Sequence, residues 1–119
     1  MSMDRESRVS TVLWKTATES ETISSARYAW QSIHFPATFV AGSITYEIMN
    51  EADTDRDVLP PTEVYSIARD DQGAALPAVA VGPGDVVPVP QWVNFCRGFR
   101  IVVSSGQIVE SSFSVVNKT

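Results

Sequence analysis

The whole chain holds one cysteine and one histidine. A lone Cys96 excludes an intrachain disulfide, and a lone His34 excludes a multi-histidine metal site. Most histidine-dependent catalytic arrangements fall with it, unless His34 itself serves. Lysine is scarce too: 2 Lys and 7 Arg stand against 14 acidic residues, for a formal net charge of −5. No basic run occurs. This counts against nucleic acid as a main partner, because phosphate contacts need clustered Lys or Arg. It counts equally against an anionic membrane surface. No apolar stretch approaches the roughly 20 residues that span a bilayer. Residues 1–7 are polar and lack an apolar signal core, so the expectation is synthesis in a reducing cytoplasm without export by that route.

Leucine is the next shortage, with 3 Leu against 16 Val and 7 Ile. Leu loses little rotamer freedom in a helix, whereas Val and Ile are stiff at χ1 and fit a pleated surface. A further 14 Ser and 9 Thr supply hydroxyl-rich outer faces. The balance predicts an all-β chain and disfavours a helix bundle or a Rossmann-type enzyme. A length of 119 residues fits one domain, able to bury roughly two-thirds of its unfolded surface without a disulfide or metal. We expect a polar arm at residues 1–7 and one domain over residues 8–119.

The pattern along the chain supports short strands. Val9–Lys15 places Val9, Thr11 and Leu13 on one face and Val12 and Trp14 on the other. A solvated strand or loop follows around Ile23. From Tyr28 to Phe35, Tyr28, Trp30 and Ser32 alternate with Ala29, Gln31, Ile33 and Phe35 until Pro36 ends ladder bonding. Phe39 and Val40 are expected to plug one end of the core. Ser43–Asn50 has the clearest period of two, with Ile44, Tyr46 and Ile48 opposed to Thr45, Glu47 and Met49. Thr62–Arg69 and a turn at Asp70–Gly73 come next. Short strands at Val79–Val81 and Val86–Val89 flank the turn Gly82–Asp85. Val93–Phe95, Phe99–Ser105 and Gln107–Val116 complete the set. About seven to nine short strands at this spacing predict a single antiparallel β-sandwich.

Few residues invite chemistry. Cys96 lies in the apolar run Trp92–Cys96 and reads as a small buried hydrophobe. His34, among Ile33, Phe35 and Pro36, reads as a strand-end or partner-facing imidazole. The chain has no Gly-x-Ser-x-Gly, no phosphate-cradling glycine loop and no HExxH. Glu51, Asp53, Asp55 and Asp57 supply hard oxygen ligands that Ca²⁺ would take. However, Arg56 follows Asp55 where an EF-hand loop needs Gly, so a solvated hairpin tip is the plainer reading. Trp14, Tyr28, Trp30, Tyr46, Tyr65 and Trp92 either pack in the core or act as exposed stacking and interface anchors. The stretch 74–90 holds four of the seven prolines and no Lys or Arg. Left bare on a monomer it would be costly, so Pro83, Val87, Pro88, Pro90 and Trp92 are the candidate interface residues.

Taken together, several segments resemble small β-sandwich virion proteins of tailed bacteriophages. They are Thr11–Thr18, Ile23–Ser25, Ile33–Pro36, Gly42–Ile48 with its acidic turn, Asp70–Gly73, Cys96–Gly106 and Ser112–Val116. The resemblance spans roughly residues 11–116. It departs from the group's pattern at Cys96, where a small residue is usual, and at the acidic turn, which lacks Asp-Gly. It implies a jelly-roll-like sandwich with no catalytic residues and no cofactor. The expected role is a head decoration (cement) protein, with a tail-associated part as the alternative. Expected partners are the major capsid protein or other virion proteins and further copies of the chain, with a trimer as the candidate assembly; the expected location is the virion. A carbohydrate-binding module is the rival reading, and it predicts Trp or Tyr side chains lined up on one exposed face.

Overall fold

The computed structural model describes residues 7–25, 28–50, 64–94 and 96–119. The expected arm at 1–6 and the acidic turn at 51–57 lie outside the described residues; Ser7, assigned to the arm, already belongs to the first strand. In chain order the strands are β1 (Ser7–Leu13), β2 (Ile23–Ser24), β3 (Trp30–His34), β4 (Gly42–Asn50), β5 (Val64–Ile67), β6 (Val79–Val81), β7 (Val86–Pro88), β8 (Gly98–Val103) and β9 (Ser112–Lys118). One helical turn, α1 (Gln91–Asn94), interrupts them.

The strands form two antiparallel sheets. The first has the order β1-β9-β3-β7. The second runs β2-β8-β4, with β5 and β6 sharing the far edge of β4. The pairing is nested. β1 meets β9, β2 meets β8 and β3 meets β7, while β9·β3 and β8·β4 contacts close each sheet.

Alternation decides which side chains enter the space between the sheets. The first sheet sends in Val12, Ile33, Phe113 and Val115; the second sends in Ile23, Ile44, Tyr46, Phe99, Ile101 and Val103. At one end the core is aromatic. Trp14 lies 5.2 Å from Phe113, and Phe35 lies 4.5 Å from Phe39 and 5.8 Å from Phe113. Phe39 plugs this end as expected, but Val40 does not: its side chain is exposed. Its backbone is held instead, because Val40 N–H donates to Gln107 Oε1 at 3.0 Å while Gln107 Nε2 donates to Val40 O at 2.9 Å. Gly42 sits where the chain crosses Ser105. A Cβ there would come 2.4 Å from Ser105 Oγ, a hydroxyl already committed to Val40 O.

Three segments differ from expectation. Residues 93–95 were expected as a strand, yet Gln91–Asn94 is the helical turn α1. The Pro90 carbonyl accepts from the N–H groups of both Val93 and Asn94, which winds the chain and buries Val93. The last strand begins at Ser112 and not at Gln107; residues 107–111 form a loop that leaves Ile108 and Val109 exposed. The valines of 79–89 are mostly not surface. Val81 is buried, and Val79, Val87 and Val89 pack against the core.

Tyr46 is buried in this core, and its hydroxyl has no hydrogen-bond partner among the described residues. Burial pushes the phenol well above its ordinary range. Below about pH 10 the phenol is protonated in folded and unfolded chains alike. Above that, the unfolded chain releases the proton and the folded one holds it, so stability falls as pH rises. Tyr46→Phe is expected to be neutral to about 1 kcal/mol stabilising at pH 7. In urea titrations its advantage should grow at alkaline pH; an advantage that stays flat to pH 11 contradicts this account.

Candidate functional site

The two outer faces of the sandwich differ in chemistry. On the second sheet Arg100, outward on β8, is fully engaged. Its Nε lies 2.7 Å from Glu47 Oε1 and its NH2 2.9 Å from Glu19 Oε2, and its guanidinium sits 3.9 Å above the Tyr65 ring. Tyr65 also shares a hydrogen bond with Thr22. The face is largely polar and internally paired, as expected for the solvated side of an antiparallel sheet, with Ile67 of β5 exposed on it beside Glu47.

The first sheet is unlike it. The register aligns Val9, Val116, Ser32 and Pro88 in one row across β1, β9, β3 and β7. The next row is Thr11, Ser114, His34 and Val86, and the row on the other side pairs Lys118 with Trp30. Among these outward residues only Lys118 carries a fixed charge. Val9 is 67% exposed, Val86 56% and Trp30 53%, so the rows are not covered by another part of the described chain. Trp30, Ser32, Pro88, Val116 and Lys118 line a shallow groove of about 380 Å³.

The sequence-predicted interface residues divide around this face. Pro88 lies on it. Pro83 is exposed in the turn between β6 and β7, where Gly84 takes a positive φ of 76°. Pro90 is half-buried and starts α1. Trp92 is 42% exposed on α1. That turn is docked near the start of β3 by Asn94 Nδ2, which donates to Tyr28 O at 3.1 Å and Ala29 O at 2.7 Å. Val87 is the correction: its register opposite Ile33 turns it inward, against the core. Composition pointed to the 83–92 stretch and to Trp30 among the aromatics, but gave no sign of Val9 and Val116, which lie in one row with Pro88 from other strands. Only the alternation of Trp30 with Gln31 and Ile33 signalled that Trp30 faces outward.

The remaining candidates sit elsewhere. Trp14 and Tyr46 are buried, which leaves Trp30 and Trp92 as the exposed large aromatics among the described residues. His34 is half-buried on the outer face, its Nε2 3.1 Å from Ser32 Oγ. Cys96 is half-buried and not fully enclosed as expected. Its Sγ–H donates to Trp92 O at 3.6 Å, and burial pushes the thiol pKa up, away from the reactive thiolate. Among the described residues no three His, Cys, Asp or Glu side chains converge as metal ligands. No helix among the described residues is long and apolar enough to cross a membrane.

No protein-family model, curated protein or solved structure matches the chain.

Proposed function

We propose that the chain is a non-enzymatic structural protein of a phage particle, and specifically a decoration protein that binds the assembled head in many copies. The observation that carries this reading is the nearly uncharged outer face of the β1-β9-β3-β7 sheet, with Trp30, Val9 and Val86 standing exposed on it. The free side of an antiparallel sheet normally carries polar and charged residues, and exposed apolar rows rimmed by polar ones mark interaction surfaces. The nested strand order supports taking the sandwich as a jelly roll, an architecture shared by viral capsid proteins and lectins. Such a protein works by mass action. It binds the assembled shell and not its loosened forms, so each bound copy stabilises the assembled state.

Co-sedimentation with purified shells stripped of this protein tests the reading. The wild type is expected to bind saturably. Trp30→Lys combined with Val86→Lys should keep the far-ultraviolet spectrum and raise the Kd for shells by roughly 30-fold or more, as for loss of an interface anchor. An absence of saturable shell binding by the wild type overturns the proposal. Binding to glycans that disappears on Trp30→Ala would move the assignment to a carbohydrate-binding module.

A further inference from the structure

Two apolar features lie at opposite ends of β9. Before its start is the turn Ile108–Ser111, closed by Ser111 N–H on Ile108 O at 3.0 Å. Ile108 is 77% exposed there and Val109 is exposed beside it, whereas turns ordinarily carry Gly, Asn, Asp, Pro or Ser. Val40, also exposed, is held nearby by the amide of Gln107. The third residue of the turn, Glu110, has a φ of 71°, a left-handed conformation suited to Gly or Asn. Backbone strain of this kind gathers at functional sites. The turn is tied down at both ends. Gln107 N–H donates to Ala17 O at 2.7 Å, and Glu110 N–H donates to Trp14 O at 3.0 Å. An apolar tip fixed in this way is preorganised for insertion into a partner.

At the other end of β9, Lys118 pairs with Trp30, and the groove lined by Trp30, Ser32, Pro88, Val116 and Lys118 opens. Glu110 is the only charged residue of the turn, and Lys118 is the only one lining the groove. Neither side chain is paired among the described residues. The seven residues of β9 separate turn from groove by about 20 Å, so no copy fills its own groove.

We propose that the turn of one copy seats in the groove of a second copy. Ile108 and Val109 pack against Trp30, Pro88 and Val116, and Glu110 meets Lys118 at the rim. The two surfaces are different and lie at opposite ends of the chain's first sheet, so the contact is heterologous. Each copy offers its turn to one neighbour and its groove to another. Contacts of this type close into rings or extend as filaments. The opposite charges set the polarity, because turn against turn or groove against groove would oppose like charges. Val9 and Val86 do not line the groove and stay available to a shell. The contact does not depend on the shell reading.

A contact this small is weak. Sedimentation velocity on the isolated chain, between about 10 µM and about 1 mM, should show association that grows with concentration. Ile108→Ser combined with Val109→Ser removes the tip, and Trp30→Ala removes the groove wall. Each should raise the Kd by roughly 30-fold while keeping the far-ultraviolet spectrum, since all three side chains are exposed. Mixed together, the two variants should associate again and stop at a dimer, because one retains a groove and the other a turn. Glu110→Lys should weaken association, and adding Lys118→Glu should restore it. A wild type that is monomeric throughout this range overturns the proposal. So do variants that associate as the wild type does, or a mixture that stays monomeric. The measurement contains no shells, so its failure and a failure of shell binding are distinct results.

Discussion

Trp14→Ala is expected to lower the unfolding free energy by about 3–5 kcal/mol, the usual cost of removing a large buried aromatic and leaving a cavity. Trp14 follows β1 and fills the aromatic end of the core, 5.2 Å from Phe113 and 6.3 Å from Phe39. Both of its backbone polar groups are tied to residues 110 and 111. Its N–H donates to Ser111 O and its carbonyl accepts from Glu110 N–H, so the backbone cannot follow the truncated side chain inward. A domain of this size has a total stability of roughly 5–15 kcal/mol, so the variant stands close to unfolding at 37 °C. Denaturant titration gives the check, with Trp30→Ala as the internal comparison. Trp30 is half exposed on the outer face, and its loss should cost well under half as much. Equal losses at the two tryptophans would falsify the assignment of Trp14 to the core and Trp30 to the surface.

The second large effect is expected at Asn117. This side chain is buried in β9, between β1 and β3, and it ties three strands together. Its Nδ2 donates to Ser10 Oγ at 2.9 Å and to Arg8 O at 3.2 Å, and its Oδ1 accepts from Gln31 Nε2 at 2.7 Å. Asn117→Asp preserves the Gln31 bond but turns an acceptor oxygen toward the Arg8 carbonyl, in a place where a charge is poorly solvated. The loss at pH 7 is expected to be about 3–5 kcal/mol, as for an uncompensated buried charge. Burial raises the folded-state pKa of such a carboxyl, so the neutral form is favoured in the fold. The deficit relative to wild type therefore shrinks as pH falls through that raised value, because the protonated acid can again donate. Urea midpoints compared at pH 7.5 and pH 4 read this out. A deficit identical at both would rule out the charge as its cause.

Much of the sandwich was legible because burial between two sheets imposes a strict period of two. In β3, β4, β8 and β9 one alternating set faces inward throughout, from Ile33, Ile44 and Tyr46 to Phe99, Ile101 and Phe113. The failures have a common physical origin. Val93 is one buried apolar residue in a short run, and a single contact cannot distinguish a helical turn from a strand; the Pro90 carbonyl made the choice. Gln107 serves the fold through its amide on Val40 and not through a ladder, so hydrophobic patterning could not place it. The candidate face was least legible of all. Val9, Val116, Ser32 and Pro88 are neighbours only because β1, β9, β3 and β7 lie side by side, and strand order is not written in the periodicity of any one strand. The 83–92 stretch drew notice through its prolines, yet Val87 and Val89 serve the core while Trp30 and Val9 supply the surface.

The nested pairing also has a consequence during synthesis. Ser7 pairs with Lys118, and the pairs inside it close progressively shorter loops down to β4 with β5. During synthesis β1 emerges early, and its partner β9 is made more than a hundred residues later. At roughly 5–20 residues per second, β1 waits for several seconds with both of its edges open. Of the nested ladders, β4 with β5 costs the least loop-closure entropy and β1 with β9 the most, so the expectation is that β1 joins last. The strand that closes the sheet is thus the one longest exposed to other chains. Crowded, simultaneous production of many copies would first be felt there, as domain swapping or aggregation of newly made protein, before any loss of stability in the finished fold.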